Sequence, residues 1–524
     1  MLQKFKKIVS QLLLISAVIE IIFFFSVENI WATFILVFGW IVIKDFILTY
    51  KIMINYPVTF FMFFGVSIFH YILPIPLTLI EFKPVTYNLI CPFETFMHHG
   101  LVIIILVITH YIYRQFTHRI NPIRSILIRT NFYFKPNDTL IWFTASISII
   151  YSAYFYIFYG AWENYTEKNI FITIGNSMTI FLWMPVIIPF YKVRNINSKL
   201  SIRNKIFIII YSLLVFIISI ISNWRTMLFS GITIFICMYI IGLLYGHYSL
   251  KKIFKPKKII SIIIILFIIL GPLMDLGVAM VVTRQSRYNT NSTEFLNKTI
   301  EVYQDKKLLN KVNDQLGEIT KSNFAVKKWG EEYLNNYIFN RYCNLKISDN
   351  CIYYAQKIGY RNPKMQNVFQ NLILSYIPQA ISKNINIESS LRKEEHQSSI
   401  TDNLYSIATN DPTVKGSAII GSLPGVGLSI FGYWYLIILI PIFILIFIIF
   451  DSFAIKKAGK VSFSYYFFTL IVITFNFFND RHVYDFELRW ILRNFIESIV
   501  MFLLIMNFSK IILKIIFNKK LNEN

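Results

Sequence analysis

Six arginines and one short acidic turn are the residues whose types and spacing suit chemistry on an anion. Arg225 stands in Ser222-Asn223-Trp224-Arg225-Thr226, a tight connection between two apolar runs. Arg284 and Arg287 lie three apart just after another apolar run, and on a continuing helix they share a face. Arg481, Arg489 and Arg493 fall in and just beyond the stretch Asn476 to Arg489. If the fold gathers these turns, their guanidinium forks can grip a phosphate or pyrophosphate bidentately without a metal. The alternative for any one of them is an interfacial arginine that snorkels to lipid headgroups. Asp480, His482, Asp485 and Glu487 in the same stretch offer a general base for a hydroxyl, or structural ion pairs with the neighbouring arginines. Glu394-Glu395-His396 is a further base candidate or a solvated helix end, and Asp275 and Glu497 are acids within apolar runs.

The elements that must position these residues are membrane spans. A chain of 524 residues that is 56% hydrophobic and only 15% charged, with mean hydropathy +0.55, lies outside the globular range and fits an all-α polytopic membrane protein. Its net charge of +23 sits mostly in short connections between apolar runs, which positive-inside bias explains without nucleic acid as a partner. No GxxxxGK[ST], HExxH or GxSxG motif is present, so ATPase, zincin and serine hydrolase readings lack support. Four cysteines without CxxC or Cys/His spacing build no zinc site, and neither a metal nor a cofactor is expected.

About twelve apolar runs are long enough to be spans. They are Ile8–Phe25, Trp31–Ile43, Val58–Ile80, Phe96–Tyr113, Leu140–Tyr159, Ile170–Tyr191, Ile206–Ile221, Thr226–Tyr245, Ile259–Val282, Gly427–Phe450, Ser462–Phe478 and Trp490–Phe517. The second is the shortest and weakest. Alternate connections collect the basic residues, among them Lys4, Lys6, Lys7, Arg114, Arg124, Lys135, Arg194, Lys255, Lys456 and Lys460. The opposite short connections hold only Lys83, Lys168, Arg225, Arg481 and Arg489 beside several carboxylates. That asymmetry places both termini in the cytoplasm and the long polar segment outside.

Three regions follow: spans over 1–283, a polar segment over 284–426 and spans over 427–524. The polar segment carries aromatic residues and helical periodicity near Phe295 to Leu309 and Val368 to Ile377, which predicts a small helical cap packed on the bundle. Cys343 and Cys351 lie within it, either as a local disulfide or as two thiols.

This layout resembles the O-antigen polymerases, the Wzy-type oligosaccharide repeat-unit polymerases. The likeness lies in the span count with one dominant late loop, in Trp224-Arg225-Thr226 at the start of a span, in Arg284 and Arg287 opening the loop, and in the glycine-rich stretch Gly421 to Gly432. The resemblance implies a GT-C-type glycosyltransferase of the bacterial inner membrane. It would polymerise repeat units carried on undecaprenyl pyrophosphate, with membrane lipid and a chain-length regulator protein as partners. Catalysis is then assigned to Arg225, Arg284, Arg287, Arg481 and His482, and substrate binding to Arg489, Arg493, Asp480, Glu487 and His396. Arginines at the interface would stabilise the charge that grows on the leaving pyrophosphate. The related O-antigen ligases share the layout and transfer glycan to lipid A core. In that family a histidine of the large loop matters, and His396 is the one this loop contains. A polysaccharide flippase and a non-catalytic scaffold are the readings from other classes.

Overall fold

In the computed structural model the described residues are 2–117, 121–159, 175, 177–196, 201–222, 225–249, 271–283, 292–309, 330, 332–336, 339–340, 343–376, 398–415, 417, 419–457, 460–477 and 488–517. They form a helical bundle with seven helices long and apolar enough to cross a membrane, which makes this a multi-pass membrane protein. Helix α1 (Leu2–Phe23) leads into α2 (Val27–Phe46), which Ser26 caps by accepting from Asn29 N. The run from Trp31 to Ile43, short in the sequence, is thus the middle of a full 20-residue helix. After α3 (Tyr50–Asn55) the chain climbs through α4 (Pro57–Val66), a π-helical turn (Ser67–Ile72) and α5 (Pro74–Ile80). It then returns along α6 (Pro92–Thr117).

The short α7 (Pro122–Arg129) precedes α8 (Asp138–Tyr159), α9 (Ile202–Ile221) and α10 (Arg225–Leu244). The described part of the run Ile170–Tyr191 is not a regular α-helix. It forms 3-10 turns over Thr179–Phe181 and Met184–Phe190, because Pro185 and Pro189 each remove a backbone donor. Of the run ending at Val282, α11 (Pro272–Val282) is described.

The polar segment contributes α12 (Ser292–Gln304), α13 (Lys346–Ile358), α14 (Pro363–Tyr376) and α15 (Ile400–Thr409). Both stretches with helical periodicity are therefore helices. Helix α12 packs against α11, with Thr283 bonded to Thr299 and Lys306 to Asp275 at 2.6 Å. The acid Asp275 is thus answered by a lysine.

Helix α16 (Leu423–Phe431) begins inside the polar segment and joins α17 (Tyr435–Asp451) through a 3-10 turn at Gly432. Gly432 has φ +59°, where a side chain would be strained. A strand pair follows, β1 (Ala454–Lys457) against β2 (Lys460–Phe463). The run Ser462–Phe478 is accordingly not one helix. After β2 it makes two short helices, α18 (Tyr465–Thr469) and α19 (Ile471–Phe475), with the break at Leu470. The last helix, α20 (Phe495–Phe517), is preceded by a π turn over Trp490–Asn494.

Contacts sort the connections into two ends. At one end Lys6 Nζ reaches Leu48 O, Tyr56 Oη reaches Arg114 O, Arg194 pairs with Asp138 at 2.8 Å, and Asn195 bonds Val461 O in the hairpin. These basic connections are therefore together. At the other end the polar segment seals the connection 81–91, with Tyr333 Oη on Val85 O and Glu81 accepting from Asn335 N and Asn336 N. These are called below the basic end and the cap end.

Candidate functional site

The cap is fastened by a buried carboxylate. Asp349 of α13 is wholly buried and accepts from Ile90 N and Cys91 N at 2.8 Å each, just where α6 begins. It thereby satisfies amides at a helix start and sits at the positive end of the helix dipole. Thr95 Oγ1 adds a contact at 3.3 Å, and Lys346 Nζ neutralises the charge at 2.8 Å with only 5% of its side chain exposed. Below it α13 lies directly on α16. A side-chain carbon at Gly425 would fall 2.4 Å from the backbone of Cys351, so only glycine permits this approach. At the far end of the same pair Arg361 N bonds Leu428 O and Asn362 N bonds Ser429 O.

Beneath the cap lies a cavity of about 60 Å³. It reaches from Ser348 and Ser422 down between the π turn and α6, past His70, Tyr71 and His99 to Leu106. The π turn sets His70 opposite His99, ring centroids 6.0 Å apart, and such turns are frequent at functional sites. Tyr71 donates to His99 O at 2.9 Å, which fixes the two helices in register. His99 Nε2 is buried without a hydrogen-bond partner among the described residues. Next to it, His98 Nδ1 is bonded to the Tyr435 hydroxyl at 2.7 Å, and the ring of His98 stacks on Tyr433. The lining of this cavity is mostly apolar, and an imidazole nitrogen there without a partner among the described residues is a candidate to exchange a proton with a substrate group, directly or through a water.

The residues singled out from the sequence are placed as follows. Arg225 opens α10 but its side chain lies outside the described residues. That helix runs about 30 Å to the basic end, where Tyr245 bonds Met53 O, so Arg225 starts from the opposite side. Arg489 lies over the ring of Tyr376 in α14 at 5.6 Å, which ties the last span to the cap. Arg493 pairs with Glu497 at 2.7 Å, one turn along its own helix. Arg284, Arg287, His396, Asp480, Arg481, His482, Asp485 and Glu487 lie outside the described residues, as do Glu394 and Glu395. Cys343 and Cys351 are both buried as thiols.

The histidines are what sequence reasoning passed over. His70, His98, His99 and His110 all lie within apolar runs, and an ionisable group inside a span is itself a functional signal.

Cys91 offers a reporter of cap docking. Burial, and then the neighbouring Asp349 carboxylate, push its thiol well above the usual range. In a variant keeping only Cys91, maleimide labelling at pH 8 is expected to be slow while the cap is seated. Labelling as fast as that of the detergent-unfolded chain would show that the cap is not docked there.

Comparison with family models, curated proteins and solved structures found no match to this chain.

Proposed function

We propose that the protein is a lipid-linked glycan polymerase of the cell envelope, working where the cap meets the bundle. The observation that supports this reading best is the arrangement of ends. A helical cap is sealed over an imidazole-lined cavity at one end, and the basic connections gather at the other. Positive-inside bias then puts the basic end and both termini in the cytoplasm and the cap outside. This is the side on which a glycan carried by undecaprenyl pyrophosphate would be extended, within a layout of about twelve spans.

In the reaction, the bond from the donor sugar C1 to the pyrophosphate oxygen breaks and a bond from C1 to an acceptor hydroxyl oxygen forms. The hydroxyl proton passes to a base and the undecaprenyl pyrophosphate leaves with its electron pair. Arg225, Arg284, Arg287 and Arg481 would stabilise the leaving charge, and Arg489 and Arg493 would hold the glycan or its phosphates. The base is His99, facing His70, or His482 of the last connection. Because the cavity has room for only a few waters, His99 would reach the hydroxyl through an intervening one.

A strain lacking the protein is expected to display glycan limited to a single repeat unit. Loss of all surface glycan with accumulated polymer would instead mark a ligase, and retained polymer would remove both readings. Arg225→Glu and Arg284→Glu should each abolish chain extension at normal protein level. Full-length polymer from both variants would refute the arginine assignment.

A further inference from the structure

At the basic end, opposite the site just described and independent of it, a second cavity of about 210 Å³ lies between α4, α6, α7 and β1. Among its lining residues are Asn55, Tyr56, Tyr113, Asn121, Arg124 and Lys456. Among the described residues, two cations and no carboxylate therefore face it. The nearby Asp451 is wholly buried and close enough to feel the charge of Arg124, but its side-chain oxygens accept from Val58 N, Thr59 N, Thr59 Oγ1 and the Tyr113 hydroxyl and not from the guanidinium.

The surrounding bonds preset the arginine. Asn121 caps α7 by accepting from Arg124 N, and its amide donates to Ile448 O. Arg124 Nη2 is pinned on Asp451 O at 2.6 Å, while Arg124 Nε is buried with no hydrogen-bond partner among the described residues. A guanidinium held in one pose with donors to spare is the arrangement that binds a tetrahedral oxyanion. Helix α7 also exposes Ile126 and Ile128, 64% and 58% accessible, beside the arginines at 124 and 129. That pattern suits a helix lying in a lipid headgroup layer.

We propose that this cavity binds a phosphate group, supplied by an anionic lipid headgroup or by free phosphate, with Arg124 and Lys456 as its cations. The test uses the full-length protein in phosphatidylcholine nanodiscs and follows thermal unfolding. One arm titrates phosphatidylglycerol into the disc and the other adds inorganic phosphate at constant ionic strength. One arm is expected to raise the unfolding temperature, and which one does so identifies the source. Lys456→Gln combined with Arg124→Lys keeps the bond to Asp451 O within reach but removes the fork, and should need about tenfold more ligand for the same shift. Lys456→Glu alone alters only an exposed side chain and should weaken the response in the same direction. No shift in either arm for the unmodified protein, or equal responses from it and both variants, overturns the proposal.

Discussion

Asp349→Ala is expected to destabilise the seated cap by about 3–5 kcal/mol, the usual result of removing one partner of a buried ion pair. The cause is specific. The substitution strands Lys346, whose side chain is 5% exposed, and leaves the amides of Ile90 and Cys91 without their acceptor. Asp349→Asn should cost less, because one oxygen can still accept. Asp349→Leu with Lys346→Met removes both charges and should recover part of the loss, giving a coupling in a double-mutant cycle. Thermal unfolding of the full-length protein and maleimide labelling of Cys91 measure the two halves of this expectation. If Asp349→Ala unfolds like the unmodified protein with Cys91 still protected, the carboxylate does not fasten the cap.

His99→Gln is expected to slow chain extension by about 10²–10⁴-fold, the range that a positioned general base contributes. Gln keeps most of the volume beside His70 and Tyr71, so cap docking and unfolding temperature should stay near those of the unmodified protein. His98→Gln loses the bond to Tyr435 and the stacking on Tyr433, neither of which faces the reacting groups, and should have the smaller kinetic effect. Measured on lipid-linked repeat units in vesicles, a near-normal rate for His99→Gln with a large loss for His482→Gln would move the base to the last connection.

Much of the architecture was legible because it depends on local sums. Twenty apolar residues in a row must hydrogen-bond internally in lipid, and the runs at Val58–Ile80, Phe96–Tyr113 and Thr226–Tyr245 recur as helices almost as drawn. Runs that failed did so at identifiable chemistry. Pro185 and Pro189 turn one into 3-10 geometry, and the segment after Lys460 pairs as a strand with Ala454–Lys457 before any helix begins. Hydropathy does not register either effect.

Composition and charge alternation by themselves determined that this is a helical membrane protein, that its described basic connections share one end, and that the described parts of the long polar segment are largely helical. Only the tertiary structure decided what the buried polar groups do. Asp349 meets Cys91 across 258 positions and Asp451 meets Thr59 across 392, each satisfying amides at the start of a helix in another part of the chain. His70 faces His99 because a π turn rotates it there. The physical reason is that a buried carboxylate or imidazole takes its meaning from its hydrogen-bond partner. That partner is chosen by packing between distant segments, whereas hydropathy and charge are read off residue by residue.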